Sequence, residues 1–339
     1  MEQVENKQPA RPIIILDGFN NFLRHYFVNQ EVNSKSQPIG GVIGFLKQID
    51  YLVTAFSPSK VFVVWENGGP SPRRKKILST YKANRAKAKE MKRIQSGKES
   101  LKDVLALDDQ TRIQQLTMLA QILKATPVCQ IFVPETECDD IIAYLVKNKL
   151  QHEKGKKIIV SNDKDFYQLL DIPEVLVFDP ATKSLVDDKK VLEKFGIAPR
   201  NFCMAKVLAG DDSDNVPGVP GVGFKTVIKR FSGFEDSTKD VDIDSVLQEA
   251  RQLSESSKKP LKVFTDVAQS EDILRRNWEL MYLDSSSLSA SQISKIDFIT
   301  DTHEPKMDKL QLIKTIMEAG INSSFDFDRF ASQMRIFLR

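Results

Sequence analysis

The sequence is poor in the residues that build disulfides and histidine metal sites. It has three cysteines and three histidines among 339 residues, and they do not cluster: Cys129, Cys138, Cys203, His25, His152 and His303. Unclustered cysteines argue against a disulfide framework and a zinc–thiolate site, and they indicate a reducing compartment. No apolar run approaches the roughly 18 residues of a membrane helix, and residues 1–11 lack a signal peptide's apolar segment. We therefore expect a cytoplasmic protein with a flexible tail over 1–11 and no membrane partner.

Acidic and basic residues are nearly balanced in number but unevenly distributed. The net charge is +3, with 49 Lys and Arg against 46 Asp and Glu. Residues 73–102 carry 12 of the bases and only 2 of the acids, which leaves 37 bases against 44 acids elsewhere. This segregation predicts one part that faces a polyanion and another that holds cations. A solvated charged helix is the alternative, although such helices usually mix both signs.

Short apolar runs alternate with helical patterns over the first half of the chain. Runs typical of strands buried in a parallel sheet cover 13–16, 61–65, 128–133, 157–161 and 175–178. Helical periodicity covers 42–56, 111–125 and 137–150 between them. Strands that alternate with helices predict an α/β fold with a mostly parallel sheet flanked by helices.

Four acids stand where predicted strands end. Asp17, Glu66, Asp163 and Asp165 each follow the last apolar residues of a run. In open α/β sheets the carboxyl ends of the strands form the edge where ligands bind. We therefore expect these four side chains to share one cleft.

Three more acids, Glu137, Asp139 and Asp140, occupy the first turn of a predicted helix. The helix dipole is a sufficient explanation for Glu137 alone, but not for three acids together with those at the strand ends. So many carboxylates in one cleft would repel each other unless cations were present. Oxygen ligands without Cys or His select Mg²⁺ or Mn²⁺. Two such ions about 4 Å apart suit in-line hydrolysis of a phosphodiester.

The stretch 208–230, LAGDDSDNVPGVPGVGFKTVIKR, combines acids with closely spaced glycines. Its first half holds Asp211 and Asp214, and its second half holds Gly218, Gly221 and Gly223 before a helical run. Glycines allow a tight turn and a close approach of the backbone to a ligand. Amides at the start of the following helix would point at an anion. An ordinary connection between helices is the alternative for the glycines alone.

The segment GDDSDNVPGVPGVGFKT resembles the helix–three-turn–helix signature of the PIN-like flap endonuclease and 5′–3′ exonuclease family. That family includes free-standing bacteriophage 5′ nucleases and the N-terminal nuclease domain of bacterial DNA polymerase I. ILDGFN, ETECDD and VSNDKDFYQLL are similar to further family motifs, so the resemblance covers 12 to about 232. It implies that nine acids are metal ligands or support them: Asp17, Glu66, Glu137, Asp139, Asp140, Asp163, Asp165, Asp211 and Asp214.

The basic segment SPRRKKILSTYKANR is similar to the family pattern R-x₆-Y-K-x-x-R, with matches at Arg74, Tyr81, Lys82 and Arg85. In the family this stretch begins a helical arch over the active site, beneath which the single-stranded 5′ end passes. The corresponding arch is expected within 67–127. The resemblance implies that all four residues bind nucleic acid and that Lys82 and Arg85 are catalytic. Tyr81 offers a face for stacking on a base, but a tyrosine in the core fits the sequence equally well.

The glycine turn is expected to grip the backbone of a duplex without reading its sequence. It offers backbone amides and a lysine rather than side chains that reach base edges. The residues assigned to this contact by resemblance are Gly218, Gly221, Gly223, Lys225 and Thr226. A potassium ion at the turn belongs to the same expectation.

The chain departs from the family pattern at Glu66, where an aspartate is usual, and at Cys138, where a small residue is usual. Neither change removes a carboxylate, so activity is still expected. Residues 232–270 are rich in Ser, Asp and Lys and are predicted to form a mobile excursion with a weak helix. Residues 308–320 and 325–338 look helical and amphipathic, and we expect them to pack against the C-terminal domain, with a partner-binding tail as the alternative.

The resemblance implies a nuclease catalytic domain over 12–196 and a C-terminal helical domain over 197–339, with the helix–three-turn–helix motif at 208–231. The implied activity is that of a free-standing, structure-specific 5′ nuclease of replication or repair. It would act as a 5′–3′ exonuclease or flap endonuclease with RNase H-type primer removal. The implied cofactors are two or more Mg²⁺ ions, for which Mn²⁺ can substitute.

The expected substrates are branched or nicked duplex DNA with a free 5′ end and RNA–DNA primer junctions. A single-strand-binding protein or a sliding clamp is the expected protein partner of a monomer, which would work in the host cytoplasm if phage-encoded. One alternative is a catalytically weak protein that binds branched DNA. The glutamate at position 66, in place of the usual aspartate, leaves this alternative open. The other is a PIN-like single-strand ribonuclease, which needs the acids but not a duplex grip, so 218–230 argues against it.

Overall fold

The computed structural model describes residues 10–66, 69–83, 100–256, 258–323 and 325–335. The strands are β1 Ile13–Asp17, β2 Lys60–Trp65, β3 Cys129–Phe132, β4 Lys157–Val160, β5 Val175–Asp179, β6 Ser184–Val186, β7 Gly210–Asp211 and β8 Val216–Pro217. The helices of the first half are α1 Gly18–Tyr26, α2 Gly40–Phe56, α3 Pro72–Ile77, α4 Ser100–Lys124, α5 Cys138–Tyr144 and α6 Asp188–Phe195. Those of the second half are α7 Pro199–Ala209, α8 Phe224–Arg230, α9 Ile243–Glu255, α10 Lys262–Ala268, α11 Glu271–Met281, α12 Ala290–Thr302, α13 Lys309–Glu318 and α14 Phe327–Met334. A π-helical turn at Leu145–Lys149 and 3₁₀ segments at Lys164–Asp171 and Ser285–Ser287 are also present.

A six-stranded sheet in the order β3–β2–β1–β4–β5–β6 forms the centre of the described chain. β1 to β5 are parallel, and β6 pairs antiparallel with β5 at one edge. Every residue of the central strand β1 is buried, which explains why its sequence is continuously apolar up to Asp17. The predicted α/β fold with a mostly parallel sheet is confirmed. The short, half-buried strand β6 is not apparent from the sequence pattern.

Each face of the sheet is covered by its own hydrophobic core. Alternate residues of β1 point to opposite faces, so Leu16 packs in one core and Ile15 in the other. The first core includes Ile49 from α2. The second includes Ile141 from α5 and Phe202 from α7. Helices on both faces leave the carboxyl ends of the parallel strands as the open edge.

The C-terminal helices α13 and α14 contribute to the core on the α2 side. Leu312, Ile316, Phe330 and Met334 are buried in the same cluster as Leu16. The expectation that 308–320 and 325–338 pack against the C-terminal domain is therefore wrong. An amphipathic stripe shows that one face of a helix is covered, but it does not show by what. Here α13 packs against α4, and α14 packs against α2.

The segment 232–270 contains two packed helices, so the expectation that it is a mobile excursion is also wrong, whereas the weak helix predicted within it is confirmed as α9. Val246, Leu247 and Ala250 of α9 are buried, as is Phe264 of α10. The rings of Phe231 and Phe264 meet edge to face, with 5.8 Å between their centroids. The buried positions of α9 recur at helical spacing, which the polar composition of the segment conceals.

Helix α7 is joined to α8 by the short β7–β8 ladder and a glycine-containing turn. A Cβ on Gly218 would lie 2.3 Å from the carbonyl carbon of Ala209, so only glycine fits there. Gly221 has a φ of +75°, whereas Gly223 is extended with open space around it. Of these glycines, only Gly218 and Gly221 are required by the backbone.

The division of the chain into 12–196 and 197–339, and the helix–three-turn–helix assignment, stay predictions. The core that contains Ile15 also contains Phe202 and so draws on both parts of the chain. Within the ranges that the structure describes, no helix is long and apolar enough to cross a bilayer.

Candidate active site

Asp17 ends β1 at the carboxyl edge of the sheet. Its Oδ1 accepts a hydrogen bond from the Asn20 amide at 3.2 Å and so caps α1, while its Oδ2 accepts one from the Ser161 hydroxyl at 3.2 Å. The Asn21 side chain donates to the carbonyls that end β1 and β4, both at 2.7 Å. Burial, together with the negative charge of Glu66, raises the pKa of Asp17 to about 7.

Asp139 and Asp163 lie close enough to Asp17 for their charges to interact. Burial and repulsion by Asp163 raise the pKa of Asp139 well above its usual range. Burial and repulsion by Asp165 raise the pKa of Asp163 to about 6. The same two causes, burial and neighbouring negative charge, thus act on Asp17, Asp139 and Asp163.

Glu66 follows β2 and belongs to the same group of acids, because its charge acts on both Asp17 and Asp139. Its Oε2 accepts a hydrogen bond from the backbone amide of Cys138 at 3.1 Å, at the first turn of α5. Glu66, which stands where the family usually has aspartate, therefore still contributes a carboxylate to the group. We call Asp17, Glu66, Asp139 and Asp163 the acidic cluster.

Glu137 and Asp140 surround a buried arginine. Arg74, at the end of α3's first turn, is only 2% exposed. Its two terminal nitrogens donate to the two carboxylate oxygens of Asp140 at 2.7 and 2.9 Å, and its Nε donates to the Leu280 carbonyl at 2.9 Å. One terminal nitrogen also lies 3.3 Å from Glu137 Oε1. Asp140 thus directs both oxygens at Arg74 and ties α5 to α3.

Lys82 and Tyr81 complete this network. Lys82 Nζ lies 2.5 Å from Glu137 Oε2, and the Tyr81 hydroxyl lies 3.2 Å from that oxygen and 3.1 Å from Asp214 Oδ2. Burial opposes ionisation of Glu137, but the Arg74 guanidinium and the Lys82 ammonium outweigh it and lower the pKa to about 2. The network therefore holds Glu137 as a carboxylate.

The predicted nucleic-acid contacts of Arg74 and Tyr81 are not supported by their positions. Their exposed fractions are 2% and 5%, so neither presents a surface for a phosphate or a base. Tyr81 is the core tyrosine that the sequence left open. Arg85 lies outside the described residues, together with the other residues of the predicted arch at 67–68 and 84–99.

Lys206 is a buried site residue that the motifs did not single out. It lies on α7, where its ammonium pairs with Asp165 and lies 2.7 Å from Asp211 Oδ2. Burial opposes the charge of Asp211, but Lys206 outweighs it and lowers the pKa of Asp211 to about 2. The sequence held one signal, since Lys206 is the only charged residue in the apolar run 202–209.

An open cleft of about 460 Å³ lies beside these groups, and Asp163 of the acidic cluster lines it. It is lined by Asp163, Asp165, Lys206, Asp211 and, at the start of α8, Phe224. The structure thus brings residues from β1, β4, α5 and the β7–β8 loop to one edge of the sheet. Every acid that the sequence predicted lies there or in the adjoining Arg74 network.

The donor set of the acidic cluster fits a divalent metal ion. Asp17 is buried and the other three are half-buried. Burial and mutual repulsion raise the pKa values of Asp17, Asp139 and Asp163, and a bound cation would relieve the repulsion. Among the described residues, no group of three acids or histidines is arranged around a common point in the present side-chain positions. Near Asp165 and Asp211 the Lys206 ammonium supplies the positive charge.

Helix α8 leads from the cleft to a second concave surface of about 380 Å³. Four cationic side chains line this surface, which we call the basic groove: Lys225, Lys229, Arg230 and Lys262. None of the acids in the described chain lines it. The sequence singled out Lys225, and also Thr226, whose hydroxyl donates to the Gly221 carbonyl at 3.4 Å. It missed Lys262, because α10 was not foreseen.

Comparisons with known proteins agree with this geometry. Residues 12–196 match the family model described as the 5′–3′ exonuclease N-terminal resolvase-like domain. The 5′–3′ exonuclease of Buchnera aphidicola subsp. Schizaphis graminum is 30% identical over 236 residues, covering 68% of this chain and 75% of that protein. The 5′–3′ exonuclease of Aquifex aeolicus is 31% identical over 234 residues, covering 68% and 73%.

A solved structure of the T5 D15 protein co-crystallised with metal ions has the same fold, with a TM-score of 0.66 and 21% identity. It aligns with 90% of this chain and 99% of the D15 chain. A D15 flap endonuclease variant in complex with DNA and metal ions gives a TM-score of 0.67 at 23% identity, over 91% and 99% of the two chains. The family model covers more than half of the sequence, the curated relatives match over two thirds of it, and the fold agrees: the chain belongs to the 5′–3′ exonuclease family.

Proposed function

We propose that the chain is a metal-dependent, structure-specific 5′ nuclease that acts on branched or nicked duplex DNA with a free 5′ end. The observation that carries this proposal is that Asp163 of the acidic cluster lines the open cleft, and that α8 leads from Phe224 at the cleft to the basic groove. Buried carboxylates suit cations, and four lysine and arginine side chains suit a phosphate backbone. The names of the curated relatives, and the DNA and metal ions in the D15 structures, support the same activity.

The proposed ligands of the metal ions are the acidic cluster at one end of the cleft, and Asp165, Asp211 and Asp214 at the other. Mg²⁺ is the proposed ion and Mn²⁺ its substitute, because hard oxygen donors without Cys or His favour these ions. When bound, such ions lower the pKa of a coordinated water and neutralise charge on the phosphate. The Ser161 hydroxyl and the Asn20 amide fix the orientation of the Asp17 carboxylate, as partners of metal ligands commonly do.

We propose that two lysines act on the phosphate through their charge, since both are buried against acids of the site rather than exposed. Lys82 Nζ lies 2.5 Å from Glu137 and 4.0 Å from Asp214, so its ammonium stands beside the acids of the cleft. Lys206 holds a second positive charge at Asp165 and Asp211. Cations fixed in a poorly solvated site stabilise charge that develops in the transition state without reorganising. Arg85 remains a predicted catalytic residue on the grounds of its motif.

The proposed seat of the duplex is the glycine turn with the basic groove. The rise of an α-helix puts Arg230 about 9 Å along α8 from Phe224 at the rim of the cleft. That length corresponds to about three nucleotide steps of one strand. The groove would therefore hold phosphates a few nucleotides from the bond that is cut. A potassium ion at the turn, primer removal, a clamp or single-strand-binding partner, a monomeric state and a cytoplasmic location stay predictions.

The test is cleavage of an end-labelled 5′-flap duplex with Mg²⁺, Ca²⁺ or EDTA. We expect cutting near the branch point with Mg²⁺, a 5′-phosphate on the product, and no cutting with EDTA. The flap strand alone and an RNA strand of the same sequence serve as matched substrates. Equal cleavage of the single RNA strand would support a ribonuclease, and tight binding without cleavage in any metal would support a DNA-binding protein.

A further inference from the structure

Two residues on facing segments share an unusual backbone conformation. Lys82 has a φ of 56° and Asn215 a φ of 57°, both in the left-handed region. This region is uncommon for a lysine and persists only where the surroundings impose it. Asparagine tolerates it better, because its short side chain can form local hydrogen bonds. The contacts of Lys82 therefore hold its backbone in this conformation.

Those contacts come from the loop between β7 and β8. The Lys82 amide donates to the Asp214 carbonyl at 2.8 Å. One residue further on, the Asn215 side-chain amide donates to the Thr80 carbonyl at 2.8 Å. The Tyr81 hydroxyl adds a bond to Asp214 Oδ2 at 3.1 Å. Each of the residues 80, 81 and 82 is thus bonded to Asp214 or Asn215.

We propose that Asn215 is a positioning residue for Lys82. Its side chain and the neighbouring Asp214 carbonyl clamp the backbone on both sides of Tyr81, and this clamp holds the Lys82 ammonium against Glu137 and near Asp214. The inference rests on the proposed nuclease activity, in which Lys82 acts on the phosphate. It assigns to Asn215 no contact with nucleic acid or metal.

The position of the clamp in the chain gives it a second consequence. Asn215 is followed directly by β8, whose residues pair with Gly210 and Asp211, and then by Gly218 and the turn before α8. The loop that fixes Lys82 therefore continues into the proposed seat of the duplex. A duplex bound at the turn would therefore contact the same loop that orients Lys82.

The experiment is a double-mutant cycle between Asn215 and Lys82. Asn215→Gly removes the donor and keeps a residue that accepts a positive φ, while Asn215→Asp keeps the shape and removes the same donor. Single-turnover rates on the 5′-flap duplex with Mg²⁺ are measured at saturating enzyme, together with flap affinity and thermal unfolding. Ser36→Gly is the matched control, because Ser36 also has a positive φ, 58°, and lies on an exposed loop.

We expect both Asn215 variants to lower the saturated rate about tenfold in the wild-type background, as loss of a charge-positioning hydrogen bond commonly does. In the Lys82→Ala background the same changes should alter the rate less than twofold, and flap affinity should stay within twofold throughout. Ser36→Gly should cleave at the wild-type rate. This non-additivity is a readout that a purely structural role of Asn215 would not give.

Three results would overturn the inference. An equal fold-loss in both backgrounds would show that Asn215 acts independently of Lys82, and wild-type rates in both variants would show that the bond positions nothing. A Lys82→Ala variant that cleaves at the wild-type rate would remove the lysine from the mechanism and the clamp with it. In each case cleavage of the flap by the wild-type protein would leave the proposed function standing.

Discussion

Replacing Arg74 by methionine should destabilise the fold strongly, because it leaves the buried carboxylate of Asp140 without its partner. Arg74 makes two hydrogen bonds to Asp140 and one to the Leu280 carbonyl, and it is only 2% exposed. Removing one partner of a buried ion pair typically costs about 3–5 kcal/mol in the free energy of unfolding. Glu137 is affected less, since Lys82 still pairs with it at 2.5 Å.

The same reasoning predicts that a second mutation restores part of the loss. Asp140→Leu alone should also destabilise, because it leaves the Arg74 guanidinium buried without its carboxylate. The double variant Arg74→Met/Asp140→Leu should be more stable than either single variant, since neither unpaired charge remains and the volumes are similar. We expect this order of stabilities because Asp140 pairs with Arg74 and does not bind a metal ion.

The assay is urea unfolding in metal-free buffer, followed by circular dichroism. Lys75→Met is the matched control, because Lys75 is the exposed neighbour of Arg74 on α3, and its free energy of unfolding should change by less than about 0.5 kcal/mol. A cost below about 1 kcal/mol for Arg74→Met, or a double variant less stable than both single variants, would refute the buried-pair argument.

Three further predictions concern the cleft, the turn and the groove, and a fourth concerns pH. Asp163→Asn should lower flap cleavage at least 10²-fold in single-turnover assays while duplex binding stays nearly intact, and wild-type turnover would exclude it from the mechanism. Gly221→Val should weaken flap binding, whereas Gly223→Val should not, because only Gly221 has a positive φ; gel-shift titrations that weaken equally for both would contradict this. Lys262→Ala should reduce the slope of log affinity against log salt by about 0.9 without changing the saturated rate, and an unchanged slope would remove α10 from the duplex seat. Glu137→Gln should lower the free energy of unfolding at pH 7. The difference in this free energy between variant and wild type should shrink as the pH falls from 4.5 to about 2, because the pKa of Glu137 in the folded protein lies below its ordinary value. A difference that does not change with pH in urea titrations would argue against the ion pair.

The sequence alone was sufficient for the sheet and for the edge that holds the acids. Five short, mainly apolar runs that alternate with helical patterns indicate strands of a parallel sheet, and acids that follow such strands meet at their carboxyl ends. The positions of Asp17 and Asp163 therefore follow from local pattern. The match of motif spacing to a known family extended this to Glu137, Asp139 and the loop at 211–214.

Only the tertiary structure decided what each charged group does inside the site. The sequence shows which residue types can pair but not which pairs form. The motif therefore predicts that Arg74 contacts nucleic acid, whereas in the structure its guanidinium pairs with Asp140. Lys206 gained its role from the docking of α7 beside the 3₁₀ segment that carries Asp165. The covering of the α2 face by α13 and α14 was likewise undecidable, because an apolar stripe fits any apolar surface. Periodicity is a local property of the chain, whereas pairing and packing depend on which distant segments the fold brings together.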